Sequence, residues 1–258
     1  MNIHGQAAIV TGGASGLGAQ TARELARRGA KVAVFDRNGE GAMAVAAEIG
    51  AYGQAIGCEC DITSTDSVLA ALQVAREAHG PARLLMNVAG IGTAKRLIGK
   101  DGTPMPLEDF RRVIEVNLIG TFNVTRLAVA EMVKLDPLLD GERGVIVNTA
   151  SVAAFDGQVG QEAYAASKGG VVSLTLPLAR DLAQFGVRVV TIAPGLFLTP
   201  LMAELPQAVQ DSLAASIPFP KRLGKPEEFA HLAAAIVENM ALNGEVIRLD
   251  GALRMAPR

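Results

Sequence analysis

Along this chain, short apolar runs stopped by glycine alternate with longer stretches in which apolar residues return at helical spacing. Ala7-Ala8-Ile9-Val10 is the first such run, ended by Gly12-Gly13, and Leu17, Ala22, Leu25 and Ala26 then recur with helical period up to Gly29. The reading is strand, glycine turn, helix. Further strands are predicted near residues 31–35, 54–60, 83–88, 144–150, 187–193 and 245–249, between helical stretches near 39–49, 65–79, 107–134 and 161–184. Such alternation implies parallel strands joined by right-handed crossovers, with helices over both faces. The fold class expected is therefore α/β, a doubly wound, mainly parallel sheet of seven strands. Ligands of such sheets bind beyond the carboxyl ends of the strands, so the irregular stretches 91–106, 135–143 and 194–225 are read as insertions, the last a substrate-loop region.

Composition narrows this picture. A chain of 258 residues, half of them apolar and 19% charged, can bury the core of one domain spanning 1–258, and 28 glycines suit close backbone packing rather than disorder. The net charge of -2 offers no general field for phosphate backbones, so nucleic acid is not an expected partner. Cys58 and Cys60, two apart on a strand, point to one face and are read as free buried thiols. His4, His79 and His231 lack ligand spacing, and no metal is expected. The first strand begins too close to Met1 for a signal peptide, and no apolar run reaches the roughly 18 residues of a membrane span. A soluble chain in the cytoplasm is the expectation.

Candidate chemistry begins at the first turn. Gly12, Ser15, Gly16, Leu17 and Gly18 lie between a strand and a helix, where backbone amides and the helix N-terminus can approach a pyrophosphate; a tight turn without a ligand is the alternative. Asp36 ends the second strand about twenty residues on, placed to accept hydrogen bonds from the adenosine ribose and to repel a 2′-phosphate. This favours NAD over NADP, although the neighbouring Arg37 offers a guanidinium to that phosphate. Asp61, followed by the apolar Ile62, is placed either to bond the adenine amino group or to cap a helix near Thr63-Ser64.

Only two tyrosines occur, and Tyr164 stands four residues before Lys168, so the two share a helical face. Surface pairing is the plain alternative. Ser151 follows the apolar strand 144–150 at the carboxyl edge, as a reactive hydroxyl or simply as a turn residue.

These features together resemble the short-chain dehydrogenase/reductase family over essentially the whole chain, through the loop Thr11 to Gly18, Asp36, Asp61, Asn87-Val88-Ala89-Gly90, Asn117, Ser151, Tyr164-Ala165-Ala166-Ser167-Lys168 and Pro194-Gly195. Val88 departs from the family's usual N-N-A-G. The resemblance implies a Rossmann-type domain binding NAD, with Asn87, Ala89, Gly90, Pro194, Gly195, Leu196 and especially Thr199 on the cofactor side, the nicotinamide carboxamide contact mapping onto Ile192, Leu196 and Thr199. Thr199 also reads as a helix cap before Pro200. It further implies a catalytic set of Asn117, Ser151, Tyr164 and Lys168. Tyr164 would exchange a proton with a secondary alcohol or ketone while Ser151 holds the substrate oxygen, Lys168 binds the nicotinamide ribose, and Asn117 relays protons through water. A free phenol, with a pKa of about 10, is a poor base; a lysine ammonium and an oxidised nicotinamide nearby would both favour phenolate. Without the resemblance, Asn117 is an ordinary polar residue in a helix.

Within that family the segments 148–155, 157–161 and 242–252 are similar to the type II 3-hydroxyacyl-CoA dehydrogenases, also described as 17β-hydroxysteroid dehydrogenase type 10. The implied reaction is reversible oxidation of (S)-3-hydroxyacyl-CoA. Lys95, Arg96 and Lys100 form a basic loop, suited to the phosphates of coenzyme A or merely solvated. Leu196, Phe197, Leu198, Leu201, Met202 and Leu205 form either an apolar lid or a core helix. Gln158 and Gln161 are substrate-contact candidates, for a thioester carbonyl, with helix-start roles competing. Other readings are a 3-oxoacyl-carrier-protein reductase, a general alcohol or hydroxysteroid dehydrogenase, and, from a different class, a non-catalytic NAD-binding structural subunit. The resemblance also implies a homotetramer paired through the helices carrying Tyr164 and Asn117; intramolecular packing explains the same small residues Ala165, Ala166, Gly169 and Gly170.

Overall fold

The computed structural model describes residues 1–92 and 94–257, with Leu201 described by its backbone alone. Seven strands form one sheet: β1 Ala7–Thr11, β2 Lys31–Asp36, β3 Gln54–Glu59, β4 Leu84–Asn87, β5 Gly144–Thr149, β6 Val187–Pro194 and β7 Val246–Leu249. Their order is β3-β2-β1-β4-β5-β6-β7, and every pairing is parallel. The sheet is thus wholly rather than mainly parallel. The order reverses between β1 and β4, which opens the ligand crevice of such sheets beside the glycine turn.

The strands are legible because they are covered on both sides. All five residues of β1, all six of β5 and all eight of β6 are buried, so each reads as a continuous apolar run. Alternate residues serve opposite cores. Ala8, Val10, Val32, Val34, Val145 and Val147 pack with Leu25, Ile49, Phe229 and Ile236, whereas Ile9, Ala33, Phe35 and Ile146 pack with Val68, Val124, Met132 and Leu182.

The helices between strands are α1 Gly16–Arg27, α2 Gly39–Ile49, α3 Thr65–His79, α4 Leu107–Ile114, α5 Thr121–Met132, α6 Glu162–Leu182, α7 Pro200–Ala203, α8 Gln207–Ala215 and α9 Pro226–Glu238. Between α4 and α5, Glu115–Gly120 is a π-helical turn, so the stretch expected as one helix runs on with a bulge in its middle. This Leu107–Met132 rod is long and apolar enough to cross a bilayer by composition, contrary to the expectation from unbroken runs. Half of its most apolar window is buried within the protein, and α5 lays Val124, Ala128 and Met132 on the sheet. Helix α9 was absent from the elements expected, and 194–225 is not wholly irregular, since it contains α7 and α8. Helix α9 has a clear start, with Pro226 in the first turn followed by Glu227 and Glu228. It packs Phe229, Ala233 and Ile236 into the core shared with α1.

Pairing register aligns the carboxyl ends. Phe35, Thr11, Asn87, Asn148 and Thr191 form one row across β2, β1, β4, β5 and β6. The residues that follow this row, from Asp36 and Gly12 through Ala89 to Ser151 and Pro194, therefore emerge along one edge.

Candidate active site

Ser151 is buried and extended (φ -166°) just beyond β5, where its Oγ accepts the Ala153 N–H at 3.1 Å. The turn role and the reactive role coexist, because accepting a bond leaves the hydroxyl proton free to donate. Tyr164 lies in the first turn of α6 and Lys168 one turn later, with the lysine Nζ 5.9 Å from the centre of the phenol ring. That ammonium is buried and donates to the Thr149 carbonyl at 2.8 Å, which fixes it beneath the end of β5. Gly90 leaves room there: a Cβ at that position would stand 3.2 Å from Asn117 Oδ1 and 3.3 Å from Lys168 Nζ.

Burial dominates the electrostatics. It pushes Lys168 down to about 8 and raises the Tyr164 phenol above its ordinary value, with the Ser151 hydroxyl the one neighbour that favours phenolate. The expectation was that a lysine ammonium and an oxidised nicotinamide together favour phenolate; in the protein without nicotinamide, burial outweighs the lysine. In this chain the same burial that brings the two together opposes charge on both.

Asn117 occupies the π-helical turn and is fully buried. Its Oδ1 accepts the Ile91 N–H at 2.8 Å, and its Nδ2 donates to the Ile91 carbonyl at 2.9 Å and to Ser167 Oγ at 3.0 Å. The side chain thus straps the loop after β4 to the Tyr164 helix, and its carbonyl accepts the Thr121 hydroxyl. The role visible in these contacts is positioning, whereas the resemblance implied a proton relay.

The glycine turn has the form a dinucleotide needs. Gly12 (φ 66°) and Gly16 (φ 53°) occupy the left-handed region, and a Cβ at Gly12 would meet Ala89 Cα at 2.7 Å. At Gly18 it would lie 2.1 Å from the Gly12 carbonyl. Ser15 is the N-cap of α1 yet makes no capping bond, so its hydroxyl and the first amides of the helix remain available to an anion. Leu17 packs against the core below.

Thr11, which opens the glycine loop, had no role of its own in the sequence reading; its hydroxyl accepts the N–H groups of Val88 and Ala89 at 3.1 and 3.2 Å, tying the two carboxyl ends together. Asn87 is buried and donates to Thr125 and Asn148, both at 2.9 Å, which makes it a brace of the sheet. Asp36 accepts Ala14 N–H on one oxygen at 3.0 Å and Asn38 N–H on the other at 2.9 Å, keeping further lone pairs for a ribose. Asp61 is not the cap of α3, a place taken by Ser64; its Oδ1 accepts the Thr63 amide and hydroxyl, which hold the carboxyl below its ordinary range. Ile62 is buried against Gly120, so it is a wall from within the core. These donors and glycines fit an adenine dinucleotide.

On the remaining rim, Pro194 pairs with Leu249, and a Cβ at Gly195 would lie 2.9 Å from Asp250 Cα. Ile192 is buried in the core, so its side chain is not available to a carboxamide. Thr199 sits at the N-cap position of α7 without a capping bond, within reach of the glycine turn, since a Cβ on Gly16 would lie 3.6 Å from its Cγ2.

The apolar stretch after Gly195 splits between its two readings. Phe197 is core, edge-on to Phe229 at 6.4 Å, Leu196 is partly buried, and Leu198 and Leu205 are exposed; the Leu201 side chain lies outside the described residues. Gln161 turns its Oε1 to the Gln158 N–H at 3.1 Å, and Gln158 Nε2 donates to the Ala256 carbonyl at 2.9 Å. These contacts tie the loop before α6 together, while Gln161, the N-cap residue, makes no side-chain capping bond. In the basic loop Lys95 is paired with Asp109, while Arg96 and Lys100 are exposed.

Comparison with known proteins is in keeping with this geometry. A family model described as short chain dehydrogenase matches residues 6–210. The chain is similar to human 3-hydroxyacyl-CoA dehydrogenase type-2, 52% identical over 257 residues and covering 99% of this chain and 98% of that protein. Among solved structures, 3-hydroxyacyl-CoA dehydrogenase type-2 from Mycobacterium avium superposes with a TM-score of 0.92 at 45% identity, covering 98% of each chain. A 3-ketoacyl-(acyl-carrier-protein) reductase from Brucella melitensis complexed with NADH gives 0.86 at 33% identity, covering 98% of this chain and all of that one. With this similarity running end to end and the glycine turn, serine, tyrosine and lysine meeting at one sheet edge, the chain belongs to the short-chain dehydrogenase family of oxidoreductases acting on CH-OH groups.

Proposed function

We propose that this protein interconverts (S)-3-hydroxyacyl-CoA and 3-oxoacyl-CoA with NAD(H). The convergence of Ser151, Tyr164 and Lys168 beyond β5 carries the chemistry, and the full-length similarity to 3-hydroxyacyl-CoA dehydrogenases type-2 carries the substrate class. When bound, the dinucleotide supplies or accepts the hydride. Tyr164 moves the proton at the substrate oxygen, and Ser151 donates to that oxygen and holds the carbinol carbon in place. Lys168, held by the Thr149 carbonyl, keeps donors free for a ribose. Asp36 at the end of β2 favours NAD, because a 2′-phosphate beside its carboxylate would be repelled.

The test is acetoacetyl-CoA-dependent oxidation of NADH. Turnover with NADH preferred over NADPH supports the reading; failure with acetoacetyl-CoA alongside turnover of another ketone overturns it. A preference for NADPH and for a carrier-protein thioester would assign the chain to the carrier-protein reductases.

A homotetramer in the cytoplasm completes the proposal. Ile119 and Phe122 beside Asn117, and Leu176 on α6, leave apolar side chains exposed on the two helices expected to pair. A Cβ on Gly169 would meet only open space, whereas Gly170 is already filled by Leu118, so the former supports close approach of a second copy. Light scattering at four times the chain mass is the expected result. The thiols Cys58 and Cys60 are free, as suits a reducing compartment, and burial pushes Cys60 up to about 12, which makes it unreactive.

A further inference from the structure

Arg248, on the edge strand β7, gathers segments far apart in sequence. Its guanidinium bonds Asp156 at 2.5 Å, Asp250 at 2.7 Å and the Leu253 carbonyl at 2.9 Å, and lies 5.2 Å over the Phe155 ring. Asp156 and Phe155 belong to the loop that leads from Ser151 to Tyr164. Asp250 lies against Gly195 at the cofactor rim. The segment after it folds back over the same loop, where the Val159 N–H donates to the Pro257 carbonyl at 3.0 Å and Gln158 Nε2 to the Ala256 carbonyl. Gly251 adjoins the end of the 194–225 region, since a Cβ on it would lie 2.7 Å from Ile217 Cγ2 and 2.8 Å from the Phe219 carbonyl.

We propose that Arg248 is a positioning residue that fixes the 152–160 loop and the 253–257 strap as one wall of the substrate pocket, and so sets the affinity for the ketone substrate without entering the chemistry. The inference rests on the proposed placement of substrate beside Ser151 and Tyr164. A planar guanidinium can bind two carboxylates and a carbonyl at once, which an ammonium on a lysine stem cannot reproduce. The wall it holds touches substrate-side loops, whereas the glycine turn is braced independently through Thr11 and Asp36.

The experiment compares Arg248→Gln, Arg248→Lys, Asp156→Asn and the Arg248→Gln/Asp156→Asn double variant with the unaltered protein. Three readouts are used: kinetics with acetoacetyl-CoA, NADH binding by fluorescence, and hydrogen exchange of the Val159 amide. The expected result is a rise of about fivefold or more in KM with kcat and NADH affinity within about threefold, in all single variants. The double variant should be no worse than Arg248→Gln, and Val159 exchange should speed about tenfold or more. Unchanged KM and exchange in folded Asp156→Asn protein, additive losses in the double variant, or a parallel loss of NADH affinity would overturn the proposal. Asp156→Asn serves as the milder variant should Arg248→Gln fail to fold. Should the unaltered protein ignore acetoacetyl-CoA, the proposed function falls, and the exchange of Val159 alone still decides whether Arg248 holds the wall.

Discussion

The cofactor rim and the substrate rim of this sheet are built on different terms. Around the glycine turn the loop is held from several sides while the first amides of α1 stay open. Thr11 holds the β4 end, Asp36 holds Ala14, and a methyl group at Gly18 would collide with the Gly12 carbonyl. Across the crevice, α7 spans four residues, α8 buries none of its side chains, and Phe219 is 81% exposed. One rim is over-determined by the core beneath it. The other hangs on a few long-range contacts.

If that contrast is real, perturbations should fall into two classes. The largest effect belongs to the shared centre. Tyr164→Phe should cut kcat by about 10²–10⁴ while NADH affinity stays within about threefold, measured by steady-state kinetics and fluorescence titration. Next comes the scaffold. Arg188 is buried on β6, where it pairs with Glu142 at 2.8 Å and donates to the carbonyls of Ile236, Val237, Asn239 and Leu242 around the end of α9. Arg188→Ala leaves the buried Glu142 carboxylate with the Met1 ammonium, 2.9 Å away, as its remaining cationic partner and takes the guanidinium donor from four carbonyls, which should cost about 3–5 kcal/mol, seen as a fall in Tm of at least about 6 °C.

The centre also leaves a mark on stability as pH changes. Folded Lys168 loses its proton at about 8, below the ordinary lysine value, so between pH 8 and about 10 the unfolded chain binds more protons and stability rises with pH. Above about 10 the sign reverses, because the raised Tyr164 phenol keeps a proton that the unfolded chain has lost. Urea unfolding across this range should show the rise in the unaltered protein, of order 2–3 kcal/mol from this group, and lose it in Lys168→Met.

Smaller effects separate the two rims directly. Gly18→Ala should weaken NADH by about tenfold or more, since the pyrophosphate turn cannot relax around the new methyl. Leu205→Ala, on the loose rim, should change unfolding free energy by no more than about 0.5 kcal/mol. A stability loss at Leu205 comparable to that at Arg188 would erase the distinction.

The same contrast explains what could be read beforehand. The strands were visible because burial on both faces leaves only apolar residues, and Tyr164 and Lys168 because a helix brings positions four apart together. Strand order was not visible, since register depends on the whole sheet. Helix α9 carries a start signal in Pro226, Glu227 and Glu228, but it follows a long stretch without sustained helical periodicity. The engagement of Gln158 by the chain's last residues is a contact across 98 positions, and that of Asp156 by Arg248 one across 92. No local pattern encodes either. Burial of Lys168, which lowers its pKa, likewise follows from its place beneath the end of β5 and beside Gly90, and not from the Tyr-to-Lys spacing.

The central claim is that Tyr164 is a proton-exchanging phenol whose acidity is not supplied by Lys168 alone. With Tyr52→Phe removing the only other tyrosine, ultraviolet titration reads Tyr164 by itself. The midpoint should lie above about 10 in the chain alone and drop below it when NAD⁺ is saturating, because the nicotinamide cation favours phenolate. A midpoint that NAD⁺ leaves unmoved, or raises, would contradict the account.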